Sequence, residues 1–215
     1  MKNIKAIIFD LDGVLTDTSE YHFQAWKHLA NDEGIPFTHE ENDAHLRGVG
    51  RRESLLYLLK GRKVSEEQVQ EMMDRKNGYY NQFIKKMMPK EIVAGGTELL
   101  QEIRQAGIKI ALASGSKNTM TVLHHLEIVS YFDGIADGNS VVNTKPAPDI
   151  FVFAAGLVKT PTTACLGIED ANAGVEAIKA AGMTALGIGP QERFSRADKV
   201  LASLEHTKLH DLLHW

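Results

Sequence analysis

Four short apolar runs constrain the fold of this chain more than any other feature. Residues 4–9, 108–113, 164–168 and 184–188 each read as a buried strand, and amphipathic helical patterns separate them. Residues 97–106 precede the second run, 118–126 follow it, and 171–181 lie between the third and fourth. The first and last of these helical patterns stop at Gly107 and Gly182, as helix C-termini prefer. Such alternation predicts an α/β fold: a doubly wound, mostly parallel, Rossmann-like sheet with helices on both faces. The interval between the first two runs is too long for one crossover. It holds helical patterns at 20–31, 52–60 and 65–87, the last opened by the capping-box sequence Ser65-Glu66-Glu67-Gln68. Residues 16–91 are therefore expected to form an inserted helical cap domain with "LTDT" and "KEIVAGG" as hinges, and residues 1–15 and 92–215 the core domain.

With 215 residues, 43% of them hydrophobic, the chain can build a sizeable core and a small second one. Lys and Arg total 24 against 28 Asp and Glu, and no basic block occurs, which disfavours nucleic acid or an anionic membrane as partner and favours small-molecule chemistry. The one cysteine, Cys165, has no partner for an internal disulfide, and its apolar surroundings in sequence predict a buried structural thiol. Residues 1–5 carry positive charge as a signal peptide does, but Asp10 breaks the apolar run that follows and no cleavage pattern is present. No apolar stretch is long enough to span a bilayer, so a cytoplasmic location is expected.

In an open parallel sheet, ligands bind beyond the carboxyl ends of the strands. Here those ends supply Asp10 and Asp12, the loop Ser114-Gly115-Ser116-Lys117-Asn118, and Glu169 with Asp170. Lys145, in Thr144-Lys145-Pro146-Ala147-Pro148, stands before another helix start, since Pro favours the first turn. Two acids as close as Asp10 and Asp12 repel when both are ionised, so the site calls for a cation or a shared proton. Oxygen ligands in this number suit Mg²⁺, which keeps waters and bridges to phosphates. The Ser114 loop opens a helix whose free N–H groups attract an anion. Competing readings fit less well. An EF-hand starting at Asp10 needs Gly and Glu where Leu15 and Tyr21 stand. "GVGRRE" and "GIGPQE" lack the third glycine of a dinucleotide fingerprint. His206, His210 and His214 could share a helix face, but read as solvated or packing residues rather than zinc ligands, and Phe23 and Trp26 have the spacing of helix packing.

"DLDGVLTDT", "ASGS", "KPAPDIF" and "GIEDANAGVEAIKAAGM", in this order and spacing, resemble the four motifs of the haloacid-dehalogenase-like superfamily. The resemblance implies an Asp10 nucleophile that forms an aspartyl-phosphate. It further implies Mg²⁺ among Asp10, the Asp12 backbone carbonyl, Glu169 and Asp170, with Ser114 hydrogen-bonded to the phosphate and Lys145 countering its charge. The chemistry is coherent: a carboxylate can attack phosphorus only where metal, Lys and backbone donors offset charge on the equatorial oxygens. Asp12 then has a role as general acid and base for the departing and incoming oxygens.

An Asp at position 12 argues for the phosphatases and phosphomutases of the superfamily. The cap stretches "TDTSEYHFQAWKHLA", "LRGVGRRESL" and "DRKNGYY" resemble its sugar-phosphate mutases. That likeness implies Arg51, Ser116, Lys117 and Asn118 gripping the phosphate not being transferred, and His22 and Lys76 linked to Asp12 and to substrate orientation. Thr18, Trp26, Ser54 and Gly115 complete the candidate substrate-binding positions. The neighbouring Arg52 leaves open which guanidinium faces the distal phosphate. The reaction so implied interconverts β-glucose 1-phosphate and glucose 6-phosphate, with β-glucose 1,6-bisphosphate as intermediate and activator. The alternative is a Mg²⁺-dependent sugar-phosphate phosphatase with the same core. Sugar phosphates are the expected partners; a monomer is compatible with the sequence, which does not set the oligomeric state.

Overall fold

The computed structural model describes residues 3–46 and 49–214. Met1 and Lys2 of the N-terminal segment, and Arg47 and Gly48 of the "LRGVGRRESL" stretch, lie outside the described residues. The chain divides into two compact units, Met1–Asp17 with Met88–Trp215, and Thr18–Met87.

The first unit is built on a six-stranded parallel sheet of order β3-β2-β1-β4-β5-β6. Its strands are β1 (Ala6–Phe9), β2 (Lys109–Ala113), β3 (Gly134–Ala136), β4 (Cys165–Glu169), β5 (Thr184–Ile188) and β6 (Lys199–Leu201). The central strands AIIF, CLGIE and TALGI are buried at every residue, as parallel strands covered on both faces must be. The helices of this unit are α5 (Gly96–Gln105), α6 (Thr119–His125), α7 (Asp149–Leu157), α8 (Asn172–Ala180) and α9 (Leu209–Leu213). Ala6 and Ile8 of β1 join Phe151 of α7, Val175 of α8 and Cys165 in one apolar cluster, whereas α5 packs against β2 outside that cluster. The predicted helix stops are found: Gly107 and Gly182 take φ of 71° and 76° just past α5 and α8. Strands β3 and β6, three residues each, were not expected from the sequence. The chain leaves this unit after Asp17 and returns at Met88, and the two connections are tied together within it. Thr16 Oγ1 donates to the Glu91 carbonyl at 2.9 Å, and the Val93 N–H donates to the Leu15 carbonyl at 3.0 Å.

The second unit holds α1 (Ser19–Asp32), α2 (His39–His45), α3 (Arg51–Leu58) and α4 (Glu66–Ile84). Ser65 caps α4 by the reciprocal bond with Gln68 that its sequence predicts. Helix α2 was not anticipated, although Thr38 and Glu41 form the same kind of box at its start. Trp26, Leu29, Phe37, Leu55, Leu58 and Met72 fill the core of this unit. Among the described residues no helix is long and apolar enough to cross a membrane.

Candidate active site

Sheet register sets the heights of the candidate reacting groups. Phe9 is level with Leu112 on one side and Ile168 on the other. Asp10 therefore emerges beside Glu169, and its N–H continues the ladder by donating to the Ile168 carbonyl at 2.9 Å. Asp10, Glu169 and Ser114 are all buried. From the loop before α7, Lys145 Nζ donates to Asp10 Oδ1 and, at 2.7 Å, to Glu169 Oε1. The second Glu169 oxygen accepts the Ala171 N–H at 2.7 Å, so this one carboxylate fastens Lys145 to the amino end of α8.

Two glycines make room for the acids. A Cβ on Gly174 of α8 would stand 1.9 Å from Glu169 Oε1. Gly13 has φ 86°, and a Cβ there would stand 2.2 Å from Asp170 Oδ2, so conformation and space both demand glycine. Asp170 has a further neighbour that sequence reasoning missed. Arg193 Nη1 donates to its carbonyl at 2.9 Å and lies 4.0 Å from its carboxylate.

Burial pushes the Asp10 carboxyl well above the usual carboxylate range; Lys145 opposes that rise, while Glu169 and Asp12 add to it. Burial alone would depress Lys145, but the Asp10 and Glu169 carboxylates outweigh it and hold the ammonium above its ordinary value. Asp10, Glu169 and Asp170 each present a carboxylate oxygen within 4.8 Å of the other two. That concentrates more negative charge than one ammonium offsets, and an all-oxygen donor set is what hard divalent cations take. The residues fit a divalent metal.

Beyond β2, the Ser114 N–H donates to the Ala136 carbonyl at 3.0 Å. Ser114 Oγ accepts from the Ser116 N–H and Ser116 Oγ from the Asn118 N–H, both at 3.1 Å. These bonds fold the loop into a turn that opens α6, with Gly115 and Lys117 exposed and Ser116 and Asn118 half-buried.

In the helical unit, Lys76 is buried and its Nζ lies 2.8 Å from His22 Nδ1, 4.9 Å from the Trp26 ring and 5.0 Å from the Tyr80 ring. His22 stacks on Tyr80 with ring centroids 4.2 Å apart. Burial, then Lys76 and Arg51, hold the imidazole well below its ordinary pKa. A neutral His22 thus accepts from the Lys76 ammonium through Nδ1. The two arginines differ sharply. Arg52 is exposed and makes a two-pronged pair with Glu66, whereas Arg51 is half-buried and its Nη2 donates at 3.0 Å to the neutral Oδ1 of Asn77, another residue the sequence did not single out. Thr18 and Ser54 are buried, Ser54 Oγ donating to the Val49 carbonyl at 3.4 Å, and Trp26 packs into the core of the unit.

The expectation of a shared histidine face needs correction. Helix α9 spans only Leu209–Leu213, and His206 precedes it in a left-handed conformation (φ 63°), so only His210 and His214 stack, with centroids 4.3 Å apart.

The family model of haloacid dehalogenase-like hydrolases matches residues 4–182. The chain belongs to this family. It is 42% identical to a β-phosphoglucomutase of Bacillus subtilis, over 98% of this chain and 94% of the relative. A crystal structure of a β-phosphoglucomutase from Clostridium difficile superposes with a TM-score of 0.90 at 40% identity, covering 96% of this chain and 94% of that one. A phosphorylated carbohydrates phosphatase of Thermotoga maritima is 30% identical over 84% of this chain and 82% of its own length. Membership explains the shape of the rim: the motifs quoted above are the strand ends and helix starts that gather Asp10, Ser114, Lys145, Glu169 and Asp170.

Proposed function

We propose that the chain is a phosphoryl-transfer isomerase that interconverts β-glucose 1-phosphate and glucose 6-phosphate through β-glucose 1,6-bisphosphate. The observation that carries this reading over a phosphatase is the likeness to β-phosphoglucomutases, which runs through both units. Asp10 is the nucleophile, and Lys145, held charged between Asp10 and Glu169, offsets charge on the transferring phosphoryl group. Mg²⁺, when held by Asp10, Glu169, Asp170 and the Asp12 carbonyl, supplies the remaining compensation of phosphate charge. Asp12 carries the proton to and from the sugar oxygen, and Ser114 orients the phosphate.

A mutase also needs a second anion site, because the bisphosphate must present each phosphate in turn. Ser116, Lys117 and Asn118 are the candidates for such a role in the first unit, and Arg51 is the candidate in the second. The pairing of Arg52 with Glu66 supports Arg51 in this role, since the guanidinium of Arg52 is taken up by a two-pronged carboxylate contact whereas Arg51 donates to the neutral amide of Asn77. The test is to incubate the protein with Mg²⁺, β-glucose 1-phosphate and a trace of the bisphosphate. Glucose 6-phosphate is the expected product; inorganic phosphate released in proportion to substrate consumed establishes the phosphatase instead.

A further inference from the structure

The loop assigned to the distal phosphate has a support of its own. Strands β2 and β3 are paired through Ala113 and Ala136, and their chains run on side by side beyond the sheet. The Gly138 N–H donates at 3.0 Å to the Ser116 carbonyl, which also accepts from Thr119 Oγ1 at 2.7 Å. The approach is close enough to exclude a side chain. A Cβ on Gly138 would stand 2.3 Å from the Gly115 carbonyl oxygen and 3.1 Å from the Lys117 nitrogen, and both are backbone atoms that no rotamer change can move.

The turn that carries Gly138 is itself braced. Asp137 Oδ1 accepts from the Asn139 N–H at 2.9 Å and from Ser140 Oγ at 3.0 Å, while Ser140 Oγ accepts the Asp137 N–H at 3.0 Å. The Ser140 N–H closes the turn onto the Asp137 carbonyl at 2.9 Å. A loop that must aim N–H groups at an anion gains little from its own hydrogen bonds if its carbonyl side can drift. Here that side rests on a rigid turn.

We propose that the turn 137–140 is a positioning element for the phosphate loop, and that Gly138 sets the height of Gly115 to Lys117. This rests on the mutase reading above. Displacing a binding loop by about an ångström can cost on the order of a hundredfold in rate, so Gly138→Ala should lower kcat/KM for β-glucose 1-phosphate at least about tenfold, mainly through KM. Phosphorylation of Asp10 by acetyl phosphate, which has no second phosphate, should stay within about twofold. Asp137→Ala, which removes the brace and adds no bulk, should shift KM in the same direction by less. Gly156→Ala, on an exposed helix position where a Cβ meets nothing, controls for the substitution itself. Wild-type KM in both the Gly138 and Asp137 variants, or equal losses of turnover and of phosphorylation by acetyl phosphate, overturns the positioning role while leaving the mutase reading intact. Failure of the unsubstituted protein to form glucose 6-phosphate overturns both.

Discussion

Arg51 and His22 share one unit yet have opposite relations to charge, and each difference can be measured. Arg51→Ala removes hydrogen bonds to a charged group, each worth about 1.5–3 kcal/mol, so mutase flux should fall roughly ten- to a hundredfold. Phosphorylation of Asp10 by acetyl phosphate should hardly change, and an equal fall in both rates would make Arg51 structural. His22 responds to pH instead. Its folded pKa lies below the ordinary value, so between the two the unfolded chain binds a proton that the native chain does not. Its contribution to stability is therefore present above about pH 6.5 and is lost as pH falls. His22→Gln should lose less melting temperature than the parent on going from about pH 7.5 to about pH 5.5. Parallel melting curves for the two proteins would show that the imidazole protonates without cost.

At the scale of elements, the same substitution has opposite signs in neighbouring helices. On α8, Gly174→Ala must drive the Glu169 carboxylate off Lys145 and the Ala171 N–H, so turnover should fall by about a hundredfold or more, with weaker metal-induced stabilisation. On α7, Gly156→Ala adds helix propensity in open space and should stabilise by about 0.5–1 kcal/mol, readable by denaturant titration. Gly174 lies in the first turn of α8 and Gly156 in the last turn of α7, and what sets the sign is the neighbour each meets in the fold. Strands β1, β2, β4 and β5 were legible because burial on both faces leaves an unbroken apolar run. Three-residue β3 and β6 carry no period, and α2, "HEENDAH", has no apolar stripe, with only Asn42 buried. The acids at the strand ends could be read because parallel strands all point one way. Arg193, Asn77 and Gly138 could not, since they approach their partners only after the chain has folded. Arg51 and Arg52 are adjacent on one helix, and spacing alone cannot choose between them.

For the whole molecule, the bonds between residues 15–16 and 91–93 imply that the core does not need the insert to bring its ends together. Replacing residues 18–87 by a short flexible linker should leave a core that unfolds cooperatively and still gains stability from Mg²⁺, about 2.7 kcal/mol at a hundredfold excess over its dissociation constant. Mutase turnover should vanish. A product without a cooperative melting transition would show that the sheet depends on the helical unit. The sheet register has a different consequence. Asp10, Ser114 and Glu169 stand where they do by counting residues from the pairs Phe9–Leu112 and Phe9–Ile168, and each step along a strand is about 3.3 Å. In the proposed reaction, an Asp10 displaced from phosphorus by that distance cannot be brought back by turning a side chain. Accuracy at the rim is thus inherited from apolar residues in the middle of the sheet, and a one-residue deletion within β1 would silence the chemistry even in a protein that still folds.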